Sequence, residues 1–175
     1  MTQRQFYDWQ TLGGAKHVFR LVAALEEREI SWCMIGGLAV NHWALEPIHT
    51  IQVDVVVVAD QIEIAAVVLQ DVGFSQERTQ NALHFNCEPK VVIRIMTEKQ
   101  YLDFPKRAVP ANVHGILMRV ASLDDTLAGT LIAPENASEK PSHRQKRLLE
   151  ISRLIELHPE LCQTLPSDLV AKLAS

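Results

Sequence analysis

The sequence predicts a single α/β domain, on three observations. A strand, a Gly-Gly pair, a short helix and a second strand follow one another between Ser31 and Ala59. That second strand is a run of β-branched residues, which suit a pleated, buried position. Apolar residues at helical spacing stand on either side of the strands, from Val18 to Ile30 and from Leu148 to Ile155.

The elements follow in order. Ala15 to Ile30 reads as an amphipathic helix, with Val18, Phe19, Val22, Leu25 and Ile30 inward and Glu26, Glu27 and Arg28 outward. Ser31 to Ile35 is a short strand, Gly36-Gly37 a tight turn, and Leu38 to Leu45 a short helix. That helix ends before Pro47, because the residue preceding proline disfavours helix. Ile51 to Ala59 is the strongest strand. A helix from Gln61 to Leu69 stops at Asp71-Val72-Gly73, and shorter strands follow around Gly73 to Glu77, Ala82 to Asn86, Val91 to Met96 and Ile116 to Val120. Ser122-Leu-Asp-Asp125 has the capping-box pattern, so a helix starts there. A polar loop, Pro134 to Pro141, precedes a long helix from His143 to His158 and one or two short helices around Pro166. We divide the chain into an α/β body, residues 1–133, and a helical tail, residues 134–175, packed on it. The loop is a candidate hinge but is too short to force two independent domains.

Composition narrows the function classes. With 17 basic and 21 acidic residues the net charge is -4, which argues against general DNA binding by the whole surface. Residues 1–8 hold no apolar stretch of the kind a secretory signal needs. The most apolar run, Val53 to Val58, is interrupted by Asp54 and is too short to span a bilayer. Cys33, Cys87 and Cys162 are far apart and odd in number, so we expect small buried side chains in a reducing cytosol and no disulfide framework.

The chemistry is concentrated between Ile35 and Val56. Glycine lets backbone approach a ligand closely and takes positive φ, and the helix after Gly36-Gly37 presents free N–H groups to an anion such as phosphate. A carboxylate near the start of the next strand, Asp54, is placed to hold Mg²⁺ against those phosphates. These are the parts needed to handle a nucleoside triphosphate.

Gly36, Gly37, Leu38, Ala39 and Val40, followed by Thr50, Gln52 and Asp54, resemble the first motif of the DNA polymerase β-like nucleotidyltransferases. The likeness is greatest to the small AbiEii-like toxin branch, where a Gly-Gly turn and helix lead to a Thr-x-Asp-x-Asp strand. Ser122 to Gly129 and Arg144-Gln145-Lys146 are also similar, so the resemblance spans residues 15 to 160. It implies a mixed, twisted sheet flanked by helices, with NTP as substrate and Mg²⁺ as cofactor. The acceptor would be a hydroxyl on RNA, a protein or a small molecule, and the toxin branch implies a cognate antitoxin as partner. Two carboxylates two residues apart share one strand face, where they hold two ions that activate the attacking hydroxyl and stabilise the leaving pyrophosphate. A neighbouring strand usually supplies a third.

This sequence departs from that pattern. Gln52 stands where a carboxylate is expected; its amide oxygen can coordinate a cation but carries no charge. Val91 to Met96, the strand expected to supply the third acid, offers Arg94, and the nearest acids beyond are Glu98 and Asp103. His49 stands where the family often has arginine, and Arg147 where it often has aspartate. We therefore expect weakened or lost metal-dependent transfer with nucleotide binding retained, and Asp54 paired with Arg94 across adjacent strands. The candidate site is Asp54 and Gln52 for catalysis and weak metal binding. Gly36, Gly37, Thr50, Arg144 and Lys146 would bind the nucleotide, and Arg94 stands beside them.

Plainer readings compete for several of these residues. Gly36-Gly37 is also an ordinary strand-to-helix connection, His42 and His49 are surface or core histidines, and Trp32 and Trp43 are core. The basic run Lys140, His143, Arg144, Lys146 and Arg147 is also a solvated helix face. Positive charge at a helix start opposes the macrodipole, which favours a functional reason for it. Two further functions stay open: an active Mg-dependent transferase with Glu98 or Asp103 adding charge, and a non-enzymatic module that binds a protein partner.

Overall fold

A computed structural model describes residues 13–45, 47–50, 52–87, 91–113, 115–132 and 140–173. The polar loop of residues 134 to 139 and the N-terminal residues 1 to 12 lie outside that set, as does the side chain of Cys87. The helices are α1 (Ala15–Glu27), α2 (Gly36–Ala44), α3 (Ile62–Asp71), α4 (Leu123–Leu131), α5 (Pro141–Leu157) and α6 (Ser167–Leu173). The strands are β1 (Trp32–Ile35), β2 (Gln52–Val57), β3 (Ser75–Arg78), β4 (Ala82–Cys87), β5 (Val91–Met96), β6 (Val109–Val113) and β7 (Ile116–Val120).

The strands form one mixed sheet in the order β3-β4-β5-β2-β1-β7-β6. β2 lies at its centre, antiparallel to β1 and parallel to β5. Its valines 53, 55, 56 and 57 are fully buried, as a central strand covered on both faces requires. One core cluster packs α1 and α3 on the sheet around Trp32, Leu21, Leu25, Leu69, Phe85 and Ile93. A second gathers Val40 and Ala44 of α2, Leu127 of α4 and Ile151 and Leu154 of α5, so the long C-terminal helix packs on the two helices beside the sheet.

Several expectations need correction. α1 ends at Glu27, and Phe19 is 60% exposed. The buried stripe runs Ala15, Val18, Leu21, Val22 and Leu25, and Phe19 lies one helical step of about 100° beyond Val18. Gly36-Gly37 is not a separate turn: β1 ends at Ile35 and the helix begins at Gly36 itself. The structure adds a strand, β6, whose sequence signal is masked by Pro110; proline is tolerated there because β6 is an edge strand. Cys33 is buried, and burial pushes its thiol up to about 12, but Cys162 is only partly buried. Trp32 is core, and Trp43 is half-buried with its indole N–H donating to the Ala121 carbonyl at 3.0 Å.

The capping pattern at Ser122 is half realised. Its Oγ accepts from the Asp125 N–H at 3.1 Å, while the Asp125 carboxylate turns to Arg107, with contacts of 2.9 and 2.8 Å. Among the described residues no helix is long and apolar enough to cross a membrane.

Candidate functional site

The site forms where β2 and β5 run side by side. In their parallel register Gln52 faces Val92 and Asp54 faces Arg94, so Asp54 and Arg94 are cross-strand partners. The expected pair is present. Arg94 Nε donates to Asp54 Oδ1 and Nη2 donates to Oδ2, both at 2.6 Å. The side chains are 12% exposed for Asp54 and 27% for Arg94. Two parallel, charge-assisted hydrogen bonds are the strongest arrangement an arginine and a carboxylate can make. Burial works against the Arg94 charge, but its hydrogen bonds and attraction to Asp54 prevail and hold the guanidinium above its usual range.

The start of α2 lies directly over this pair. Gly36 has φ +66°, and a Cβ there would lie 2.8 Å from Asp54 Oδ2. Only glycine fits both the backbone angle and the space. A Cβ on Gly37 would come 3.3 Å from Thr50 Oγ1 and 3.6 Å from Glu150 Oε1. Thr50 is buried and its hydroxyl donates to the Gln52 carbonyl at 3.0 Å, which fixes the entry to β2. The segment before it is clamped by Asn41 of α2, whose side-chain amide bonds both the N–H and the carbonyl of Ile48, at 3.0 and 2.8 Å. Arg153 of α5 donates to the same Asn41 oxygen at 3.0 Å, tying the last long helix to the loop that carries His49 and Thr50.

Above these residues lies a cleft of about 520 Å³. Gly36, Gly37, Thr50, Gln52, Asp54, Arg94 and Lys146 all line it. Arg144 does not, because the face of α5 that meets the cleft is His143, Lys146, Arg147 and Glu150, the i, i+3, i+4, i+7 stripe. His49 also lines the cleft, whereas His42 does not; partial burial lowers the pKa of His42.

Sequence reasoning missed two residues here. Glu150 brings a carboxylate from α5, a helix in which no acid was sought, and the signal was its place on the stripe through His143, Lys146 and Arg147. Its carboxyl pKa is raised by burial, partly offset by Lys146 at 3.9 Å and raised further by Asp54. Tyr101 sits in a 3₁₀ turn beside Arg94, with burial pushing its hydroxyl up to about 12. The acids proposed to add charge lie elsewhere: Asp103 pairs with Lys106 at 2.6 Å, Glu98 accepts from Gln100 at 3.1 Å, and neither lines the cleft.

The donor set does not fit a two-ion centre. Both Asp54 oxygens accept from Arg94, Gln52 is neutral, and among the described residues no three His, Cys, Asp or Glu side chains gather where they could hold a metal.

Comparison with known proteins agrees with this architecture. No protein-family model matches the sequence. No curated protein matches it either. Solved structures do. The lincosamide antibiotic adenylyltransferase LnuA, lincomycin-bound, superposes with a TM-score of 0.57 at 14% identity, over 81% of this chain and 96% of that one. ANT(2'')-Ia in complex with adenylyl-2''-tobramycin gives 0.59 at 13% identity, over 90% and 97%. An antigenic nucleotidyltransferase-like protein from Paracoccidioides brasiliensis gives 0.54 at 15% identity, over 81% and 75%. The fold is that of the nucleotidyltransferases. At these identities the likeness establishes architecture, and the chemistry has to be argued from the cleft itself.

Proposed function

We propose that this nucleotidyltransferase-fold protein binds a nucleotide in the cleft between β2, β5 and α5 and performs metal-dependent NTP transfer weakly or not at all. The observation that carries this reading is the fork between Arg94 and Asp54. Nucleotidyl transfer by the two-ion route needs carboxylates free to hold cations. Here the one acid at its expected strand position is neutralised by a neighbouring guanidinium, and the position two residues before it is Gln52.

The parts that would bind a nucleotide remain. The N-terminus of α2 offers backbone N–H groups at Gly36 and Gly37, which line the cleft together with Lys146 and Arg147. Helix α5 of the tail serves in this reading as the wall that completes the cleft. LnuA and ANT(2'')-Ia are seen with lincomycin and with adenylyl-2''-tobramycin, so small molecules of that kind are one class of acceptor to test on this cleft. The AbiEii-like resemblance would instead make the acceptor RNA and the partner an antitoxin.

The test is label transfer from α-labelled ATP, CTP, GTP and UTP, with Mg²⁺ or Mn²⁺, to RNA, to the protein itself and to polyhydroxylated small molecules. Nucleotide binding by calorimetry with little or no transfer is the expected result, and fast Mg²⁺-dependent transfer by the unaltered chain contradicts the proposal. Glu150 favours a second reading, a working transferase in which this carboxylate replaces the missing strand acids. In that case Glu150→Gln would abolish a transfer activity that the unaltered chain displays.

A further inference from the structure

The cleft that lacks free strand carboxylates carries cations in their stead. Three fixed positive side chains, Arg94, Lys146 and Arg147, face it together with two carboxylates, Asp54 and Glu150. A site built from unpaired carboxylates repels a polyphosphate until divalent ions bind, but here the balance of fixed charge is already favourable without them.

The Arg94 fork has a second property. It uses Nε and Nη2, so Nη1 keeps two N–H donors outside the pair. The side chain is partly exposed and lines the cleft beneath the start of α2. A guanidinium does not lose its proton near neutral pH, and its planar donors match phosphate geometry. Asp54 fixes the orientation of those donors, so little side-chain freedom remains to be lost when an anion arrives.

We infer that Arg94, tethered by Asp54, is the resident cation of this cleft and takes the place of a divalent ion, so that the polyphosphate of a nucleotide binds without metal. The inference rests on the nucleotide binding proposed above and adds its mode. Asp54 becomes a positioning residue for a phosphate-binding arginine rather than a metal ligand.

The experiment is calorimetry of the full chain with ATP and with inorganic tripolyphosphate, each in Mg²⁺ and in EDTA. The two conditions are expected to give dissociation constants within about threefold of each other, for both ligands. Weakening by about tenfold or more in EDTA overturns the inference while leaving nucleotide binding intact. Absence of binding in both conditions overturns the inference and the functional reading together. Arg94→Gln is expected to weaken ATP binding in EDTA by about tenfold or more, as loss of a charge-assisted contact does. Because that variant strands Asp54, the double variant Asp54→Asn with Arg94→Gln provides a neutral control, checked for folding by its melting curve. Its expected result is the same loss, and unchanged ATP binding by a folded double variant overturns the inference.

Discussion

The described residues hold two arginine–aspartate forks, and they differ in what surrounds them. Arg94 and Asp54 pair across two parallel strands on the cleft floor, with both side chains largely covered. Arg107 and Asp125 pair between a 3₁₀ turn and the first turn of α4, where Arg107 is 53% exposed. Asp125 already sits at a helix start that favours a negative charge, behind an N-cap made by Ser122. For that pair the arginine adds to a carboxylate that is otherwise well placed. Asp54 sits instead on the floor of the cleft, so its pairing decides what the carboxylate can offer a ligand. The same local geometry is thus an accessory to a helix in one place and the defining feature of a site in the other.

The largest expected effect follows from breaking the first fork. Arg94→Ala leaves Asp54 buried and unpaired, and should cost about 2–4 kcal/mol in urea unfolding. Arg107→Ala also leaves a covered carboxylate, but Asp125 keeps the helix start that favours its charge and the lost arginine is 53% exposed, so the cost should be smaller, about 1–2 kcal/mol. Equal losses in the two variants would erase the contrast.

The next effect is at the glycines. Gly36→Ala meets both the left-handed backbone and the Asp54 carboxylate, and should cost about 1–3 kcal/mol. Its nucleotide affinity should fall as well, since the new methyl displaces the fork. Gly129 also lines the cleft but lies inside α4, where a Cβ would meet only Phe104 and Tyr101 carbons at 3.6 and 3.8 Å. Gly129→Ala should therefore raise stability by about 0.5–1 kcal/mol, measured in the same unfolding series.

The smallest effect concerns pH. Glu150 has a folded-state pKa raised above its usual 4.5 by burial. A raised carboxyl pKa means that the folded state holds the proton more tightly, so stability from this group is full below 4.5 and declines as pH rises through the folded value. Glu150→Gln should raise the melting temperature at pH 7 relative to the unaltered chain, and the gain should vanish in acid below that window. A gain that is equal at both ends of the range would show that the Glu150 charge is not what the substitution relieves.

The sequence made the fold legible where local pattern and tertiary environment agree. The valines of β2 read as a buried central strand because the strand is covered on both faces. β5 and β7 have the ends that their apolar runs suggest. β6 was hidden, since an edge strand with Pro110 lacks the signal that burial imposes. Phe19 was misplaced because an aromatic residue beside an apolar stripe looks like part of it, while exposure depends on one helical step.

The cleft was legible to the same degree. Asp54 and Arg94 could be paired in advance because each lies in a strand of readable length, and the family likeness suggested that the strands are neighbours. Glu150 could not be found that way. Its nearness to Gly37 is set by how α5 packs on α2 and α4, which depends on contacts more than a hundred residues apart in sequence. Arg144 illustrates the same limit. A basic run marks the helix, but only the packed face selects Lys146 and Arg147 for the cleft.

In the proposed function Asp54 is committed to Arg94 and does not serve as a metal ligand. Manganese titration followed by electron paramagnetic resonance tests it most directly, with the unaltered chain, Asp54→Asn and Arg94→Gln side by side. Asp54→Asn is expected to leave Mn²⁺ uptake unchanged, and Arg94→Gln to increase it by freeing the carboxylate. A stoichiometric Mn²⁺ site in the unaltered chain that disappears in Asp54→Asn would contradict it.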